Sequence, residues 1–508
     1  MPQYKGFKTV PKIHIDDKET LSLVYTPGVG ACCKKIQENP EAVMVYTNKI
    51  NSVAVIAFNY EQALNRAVFL KSVLLIDAYP LVVSPDTDKN DFKFAVENIE
   101  INFCAIDLSL IREYASDIDF EVDIPVLKEP VSDLKDFFGA ISRNVFMLDI
   151  SKLKGDVSQR SLELHELAGG VVETVLCEEK RNKPVAIVSD GTAVLGFGNI
   201  GAAASIPVME GKAALYAELA DVDAMSFCTK TQNAKEVIKI VEMFAGSFSG
   251  IHLEDIAAPE CFEIEDTLSQ TLNIPVFHDD QHGTAIIVLA GLLNALHLEG
   301  KRLEDVKIVI AGAGAAGTAV AKLLLFAGAK NIIMDDVPGA VFKGREWNDR
   351  YLENLACVTN LHNEHGELSD IIKHADVFIG LSKGGLLTED MVRSMEYKPI
   401  VFALANPVPE IMPDEAKHAG AYITSTGRSD FDNQINNALA FPGFFKGLID
   451  GKVTKVTDEA KLECALMIAS MVPTDELTPE NIIPDPLDRR IPLRIAEVIA
   501  EKFGKGSV

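Results

Sequence analysis

Residues 306–317, Val306-Lys307-Ile308-Val309-Ile310-Ala311-Gly312-Ala313-Gly314-Ala315-Ala316-Gly317, pass from a β-branched run into three spaced glycines. An amphipathic stretch then continues through Leu325. A strand, a glycine turn and a helix in that order predict one unit of a largely parallel α/β sheet. Gly312 permits the tight turn, and Gly314 lets the backbone approach a pyrophosphate. Ala315, Ala316 and Gly317 open the helix, whose free N–H groups and positive dipole end face that anion. The next strand, Asn331-Ile332-Ile333-Met334, ends in Asp335-Asp336, so an acid stands nineteen residues beyond Gly317. That spacing predicts a dinucleotide site in which Asp336 accepts a hydrogen bond from a ribose 2′-hydroxyl. The same carboxylate would repel a 2′-phosphate, but Lys343 and Arg345 follow closely enough to soften the repulsion, so NAD and NADP both stay open.

Outward from this unit, short β-branched runs alternate with helical patterns almost throughout. Boundaries are expected near Glu299-Gly300-Lys301 and near Asp450-Gly451. Beyond the second, a helical composition leads to a proline-rich stretch, Pro484 to Pro492, and a short last helix. An internal repeat is also visible. Val53-Ala54-Val55-Ile56 and Val185-Ala186-Ile187-Val188 open two similar tracts. Arg66 to Leu70 with Asp77-Ala78 then matches Lys212 to Tyr216 with Asp223-Ala224 at identical spacing, and Ile124-Pro125-Val126 matches Ile274-Pro275-Val276. Two βαβ units can look alike through shared apolar periodicity, yet collinear matches favour duplication.

Composition narrows the class. With 508 residues the chain has room for about two to four domains, and 48% apolar with 24% charged residues is an ordinary globular balance. A net charge of −26 argues against a nucleic-acid or anionic-membrane surface, both of which need clustered Lys and Arg. The eight cysteines include Cys32-Cys33 but no Cys-x-x-Cys, so reduced thiols in a cytoplasmic enzyme are expected rather than a zinc cage or disulfide framework. The first six residues hold no apolar signal core. The longest uncharged stretch, Gly191 to Met209, is broken by Gly196, Gly198, Asn199, Gly201 and Pro207, so no membrane span is expected.

Phe277-His278-Asp279-Asp280-Gln281-His282-Gly283-Thr284 sets two adjacent carboxylates between apolar runs, which is costly unless a cation or a lysine compensates them. An extended backbone there would point Asp279 and Asp280 to opposite faces, one toward a metal and one toward a titrating base. Leu253-Glu254-Asp255-Ile256 repeats the pattern of paired acids between apolar residues. Four acids with no thiolate nearby suit Mg²⁺ or Mn²⁺ better than zinc. His278 and His282 at i, i+4 offer a zinc alternative that the Gly283-Thr284 break weakens. Gly196-Phe197-Gly198-Asn199-Ile200-Gly201 imitates the dinucleotide fingerprint, but Asp190 to Ala193 separates it from its strand. It reads as a glycine-rich turn at a substrate site, with Lys212 on the following helix. Tyr25-Thr26-Pro27-Gly28-Val29-Gly30 is a Pro-Gly turn whose tyrosine would by itself read as packing.

Taken together, YTPGVG (25–30), SDGTAVLG (189–196), PVMEGK (207–212), LED (253–255), HDDQHGTA (278–285), GAGAAG (312–317), ALANP (403–407) and GRSDFDNQINNALAFPG (427–443) resemble the malic enzyme family, oxidative decarboxylases that act on malate. The similarity runs through residues 15–56 and from 185 to the C-terminus. The resemblance implies that Glu254, Asp255 and Asp280 ligate a divalent metal. It makes Lys212 the general base with Asp279 beside it, and Tyr25 the proton donor. Asn406 and Asn437 match residues near substrate and nicotinamide. The implied fold is an N-terminal α/β domain from 1–56 and 185–298, a Rossmann-type NAD(P) domain over 299–450, and a C-terminal helical segment over 451–508.

One departure is large. The bacterial-type pattern leads from the strand at 53–56 directly into SDGTAVLG, whereas here residues 57–184 intervene. They read as a degenerate inserted copy of the N-terminal domain, in which Lys212 becomes Arg66, Glu254-Asp255 becomes Ser109-Leu110, and Asp279-Asp280 becomes Glu129-Pro130. No metal site is expected in that copy. The implied activity converts L-malate to pyruvate and CO2 with reduction of NAD or NADP, dependent on Mg²⁺ or Mn²⁺. A homodimer or homotetramer is expected, with room for Tyr25 and Lys212 to meet across an interface. Two alternatives stand beside it: a malolactic-type enzyme giving lactate with retained NADH, and a catalytically silent malate- or nucleotide-binding regulator. The presence of Tyr25, Lys212 and Asp279 argues against the last.

Overall fold

The computed structural model describes residues 6–25, 27–74, 77–84, 86–100, 104–106, 155–177, 179–194, 196–337 and 339–504. The chain divides into two units, Met1–Val276 and Phe277–Val508.

In the first unit one winding occurs twice. Ser52–Ala57 lies between Asp77–Val82 and Cys104–Ile106, both parallel to it, with Tyr60–Leu74 and Lys89–Glu97 as crossover helices. Val185–Ser189 lies between Ala224–Cys228 and Gly250–Leu253, again both parallel, with Ala202–Ala220 and Ala234–Phe244 as crossovers. Register agrees as well: Val53 pairs with Ala78, and Val185 with Ala224. The aligned positions Ser109, Leu110, Glu129 and Pro130 lie outside the described residues. All five residues of Val185–Ser189 are buried, as a strand covered on both faces requires. Gly6–Pro11 pairs antiparallel with Val172–Cys177. The helix before that second strand, Val157–Ala168, starts at an Asp156–Gln159 capping box and stops at Gly169, whose φ of 59° suits a residue without Cβ.

Helix Ala202–Ala220 carries two buried charged side chains, Glu210 and Lys212, at 4% and 0% exposure. Glu210 accepts a hydrogen bond from the Asn48 N–H at 2.7 Å, and burial pushes its carboxyl up to about 8. The folded-state value thus stands above the ordinary carboxyl value of 4.5. Its contribution to stability is full below that lower value and is lost as pH rises through the folded one. Between the two, unfolding free energy falls by about 1.4 kcal/mol per pH unit on this account. Glu210→Gln is expected to remove that slope, becoming more stable relative to wild type from pH 6 to pH 8.5 in chemical denaturation. A difference independent of pH would contradict the assignment.

The second unit holds a six-stranded sheet in the order Gly339–Ala340, Asn331–Asp336, Lys307–Ala311, Val377–Gly380, Ile400–Ala403, Ile423–Thr426. All neighbours run parallel except the two-residue edge strand Gly339–Ala340. This is the Rossmann order, with a short antiparallel piece in the outermost place of the first half. Helix Thr284–Glu299 is apolar nearly all round and packs on helices Ala315–Phe326 and Asp458–Ser470. That packing places it in the second unit, so the division falls at 276/277, ahead of the 298/299 junction expected from sequence. Among the described residues, Asp279–Glu299 is the one helical stretch long and apolar enough to cross a membrane, and 72% of its apolar window is buried inside the protein. It is a core helix.

The backbone at Asp279-Asp280 is not extended, so the opposite-face arrangement that an extended chain would give does not apply. The strand Val276–His278 ends before it, and Asp279–Gly283 winds into a π-helical turn closed by the Thr284 N–H on the Asp279 carbonyl. The Asp279 side chain fills the space over Gly283, where an added Cβ would stand 1.9 Å from Oδ1. The two acids still differ in burial, Asp279 at 0% and Asp280 with a third of its side chain exposed (33%), but a tight turn produces the difference rather than a pleat.

Candidate active site

In the first unit, the strand Gly250–Leu253 runs into Glu254 and Asp255, and the helix Ala202–Ala220 presents Lys212 to them. Lys212 Nζ lies 2.8 Å from Glu254 Oε1 and 5.6 Å from the centre of the Tyr25 ring. Tyr25 and Lys212 thus lie close together within one chain. The second Glu254 oxygen is 2.9 Å from His252 Nε2, and His252 Nδ1 is 2.8 Å from the Tyr216 hydroxyl. A carboxylate only accepts, so Nε2 carries the proton and Nδ1 accepts from Tyr216. Lys212, Glu254, His252 and Tyr216 are each no more than 3% exposed. His252 and Tyr216 escaped the sequence reading. The available signals were local: His252 stands two residues before Glu254 on one strand, and Tyr216 one helical turn after Lys212.

Asp255 is 3% exposed and sits at φ 54°, the left-handed region that costs a residue with a Cβ about 1 kcal/mol or more. The loop 190–193 holds it there. Ala193 N–H donates to the Asp255 carbonyl at 2.9 Å, and Thr192 Oγ1 donates to Asp190 Oδ1 at 2.6 Å while accepting from Ala257 N–H at 2.8 Å. The SDGTAVLG stretch thus acts as a brace for the acidic turn. Gly196, Gly198 and Gly201 all have positive φ, consistent with a glycine turn ahead of the lysine-bearing helix rather than a second dinucleotide fingerprint.

In the second unit, Asn437 Nδ2 donates to Asp279 Oδ2. Asn437 reaches it from a one-turn 3-10 helix, Asn437–Leu439, whose N-cap is Asn436. Asp280 Oδ2 lies 3.9 Å from His278 Nε2. His282 Nδ1 is 3.3 Å from Lys461 Nζ, which is itself paired with Asp458 at 2.6 Å. With His278 on a strand and His282 facing a lysine, the helical zinc pair does not form.

The glycine turn at the end of Lys307–Ala311 has the geometry its sequence implied. Gly312 has φ 109°, and a Cβ there would lie 2.5 Å from the Leu381 carbonyl. A Cβ on Gly314 would meet nothing within 4 Å, so the space in front of the helix start at Ala315-Ala316 is open. A Cβ on Gly317 would meet the Gly312 carbonyl at 1.8 Å. Gly317→Ala is therefore expected to push the helix off the turn, lowering the melting temperature and abolishing dinucleotide binding measured by calorimetry. Unchanged binding would show that the turn does not cradle the ligand. Asp336 ends the neighbouring strand, and Asn406 follows Ile400–Ala403 in a cis Asn406–Pro407 peptide. Buried Glu410 accepts from Ser382 N–H and Ala405 N–H at 2.9 and 3.0 Å, tying the loop after Val377–Gly380 to the one that carries Asn406.

An α/β unit that buries a lysine against carboxylates, followed by a Rossmann-type unit with an open glycine turn, places the chain among dinucleotide-linked α/β enzymes. Family comparison is specific. The malic enzyme N-terminal domain model matches residues 5–69 and 159–236, and the malic enzyme NAD binding domain model matches 281–503. The chain belongs to the malic enzyme family. It is 46% identical to the bifunctional malic/malolactic enzyme of Bacillus subtilis over 71% of this chain and 87% of that one. It is 51% identical to the NAD-dependent malic enzyme of Geobacillus stearothermophilus over 63% and 67%. The crystal structure of the Thermotoga maritima NAD-dependent malic enzyme superposes with a TM-score of 0.61 at 39% identity, covering 73% of this chain and 99% of that one.

Proposed function

We propose that this protein oxidatively decarboxylates L-malate to pyruvate and CO2, reducing NAD⁺ or NADP⁺ with a divalent metal bound. The observation that carries the reading is the fully buried Lys212, 2.8 Å from Glu254 and beside the Tyr25 ring, in a chain of this family. The donor set suits Mg²⁺ or Mn²⁺. Glu254 and Asp255 are 2% and 3% exposed, and adjacent buried carboxylates call for a cation. Asp280 is the third proposed ligand. Gly312, Gly314, Ala315, Ala316 and Gly317 would hold the coenzyme pyrophosphate, with Asp336 on the ribose and Asn406 toward the nicotinamide. When bound, the ion polarises the substrate oxygens and the dinucleotide accepts the hydride.

The protein's own groups do the proton work. Lys212 Nζ takes the proton of the C2 hydroxyl as C2 is oxidised. Asp279, held by Asn437, serves the lysine. Once the C3–C4 bond breaks and C4 departs as CO2, the Tyr25 hydroxyl delivers a proton to C3 of the resulting enolate. Tyr25→Phe keeps the ring but removes that proton, so conversion of the enol to pyruvate is expected to slow by about a hundredfold, more than hydride transfer does. An unchanged rate of enol ketonisation would remove Tyr25 from the role.

Residues 57–184 are proposed to be a duplicated, degenerate copy of the N-terminal domain. The shared strand order and register of the two tracts support it. The oligomer is proposed to be a homodimer or homotetramer, and the location cytoplasmic. The identity to a bifunctional relative keeps a malolactic activity in view. Incubation with malate, NAD⁺ and Mn²⁺ separates the two by product: pyruvate with equimolar NADH supports the proposal, and lactate without net NADH replaces it.

A further inference from the structure

In the first unit, residues 6–51 lead into the winding that opens with Ser52–Ala57, and residues 155–184 lead into the one that opens with Val185–Ser189. Each lead-in is seated on the winding it does not enter. Thr9, in the first lead-in, donates its N–H to Asp223 Oδ1 of the second winding at 2.7 Å. Thr174, in the second lead-in, donates its N–H to Asp77 Oδ2 of the first winding at 3.3 Å and its hydroxyl to Asp77 Oδ1 at 2.9 Å. Asp77 and Asp223 are the aspartates that match in the repeat. Thr9 and Thr174 stand directly opposite each other where Gly6–Pro11 pairs with Val172–Cys177. Opposed residues of an antiparallel pair are related by a local two-fold, which here exchanges the two threonine–aspartate contacts.

Two further pairs of contacts obey the same exchange. Asn48 Nδ2 donates to Asp77 Oδ2 at 2.7 Å, and Arg181 Nε donates to Asp223 Oδ2 at 2.8 Å, so each aspartate holds its own lead-in as well as the other one. Val82 and Cys228 are the last residues of the strands that begin the match, and Glu100 and Ser247 each stand three residues past the second crossover helix of their winding. Val82 N–H donates to Ser247 Oγ at 2.6 Å, and Glu100 N–H donates to the Cys228 carbonyl at 2.8 Å. Matched surfaces meeting about a two-fold are the mark of an interface between two copies of one subunit.

The exchange has a chemical consequence, because the first lead-in carries Tyr25. Its backbone approaches the Lys212 helix so closely that a Cβ on Gly211 would stand 2.2 Å from the Val24 carbonyl. Asn48 N–H donates to Glu210 on the same helix. At the reciprocal place in the first winding, Leu64 and Arg66 match Glu210 and Lys212, so that half keeps the interface without the base.

We infer that the inserted copy takes the place of a second subunit, its lead-in supplying Tyr25 to the Lys212 of the other copy within one chain. The inference rests on the roles proposed for Tyr25 and Lys212, and adds that the site they form is not shared between chains. Further copies in an oligomer join through another surface.

Co-expression of full-length Tyr25→Phe and Lys212→Ala chains tests this. Malate turnover of the mixture is expected to equal the mean of the two variants made separately. Recovery to roughly a quarter of the wild-type rate, the statistical yield for a site shared between two chains, would overturn the inference. A wild-type protein that does not oxidise malate would remove the proposed activity instead, and a second readout then decides on the internal pairing. In the full-length Thr9→Cys/Thr174→Cys protein, oxidation is expected to place the new disulfide within single chains on a non-reducing gel. Disulfide-linked dimers, or no cross-link at all, would overturn the pairing.

Discussion

Lys212→Ala is expected to lower malate oxidation by roughly a thousandfold or more while leaving coenzyme affinity intact. Lys212 belongs to the first unit and the glycine turn to the second, so the substitution touches one function only. It also removes the donor 2.8 Å from Glu254 Oε1 inside a fully buried cluster. A buried carboxylate deprived of its partner costs about 1–3 kcal/mol, so a lower melting temperature is expected as well. Coenzyme titration separates the two effects: a misfolded variant would lose both activities, whereas a folded variant lacking its base loses only turnover. Small primary amines in the assay are expected to restore part of the rate. Retained turnover in the variant would take Lys212 out of the base role.

Asp255→Asn is expected to remove the response to metal while making the metal-free protein more stable. Asp255 is a buried carboxylate held at φ 54°, and its carbonyl is tied to Ala193 N–H. Asparagine tolerates the same left-handed backbone and carries no charge to desolvate. A metal at a hundred times its dissociation constant stabilises the native state by about 2.7 kcal/mol. Wild type should therefore show a melting shift of several degrees with Mn²⁺, and Asp255→Asn almost none, with turnover lower by roughly a hundredfold. An undiminished Mn²⁺ shift in the variant would exclude Asp255 as a ligand. The pairing of strain and buried charge at one residue is how a site gives up stability for binding.

The second unit was legible because its signals are local. Three glycines, a strand before them and Asp336 after the next strand define a turn, a helix start and an acid whose positions follow from chain geometry alone. The likeness of the two tracts was legible too, whereas the register they share, Val53 with Ala78 and Val185 with Ala224, came only with the structure. What sequence could not show was side-chain partnership. His252 and Tyr216 join Lys212 and Glu254 in one buried chain only because a strand end and a helix face meet. Their spacing alone does not distinguish them from ordinary core residues. Sequence leaves the backbone at Asp279-Asp280 open between strand and turn, because the apolar run before it is itself a strand. The π-helical turn follows from Gly283, which leaves room for a carboxylate that any other residue would displace. Likewise the asparagines of the 427–443 stretch serve two ends. Asn437 bonds to Asp279, whereas Asn433 donates to the carbonyls of Thr424 and Pro479 and accepts from Ile482 N–H, which is structural.

Metal-dependent oxidative decarboxylation of malate is the activity proposed for this protein. The direct measurement is a coupled record of NADH absorbance and pyruvate with purified protein, L-malate, NAD⁺ and Mn²⁺, before and after addition of a chelator. Equimolar NADH and pyruvate are expected, abolished by the chelator and restored by excess Mn²⁺. Full activity in the presence of the chelator, or no reduction of either NAD⁺ or NADP⁺, would contradict it.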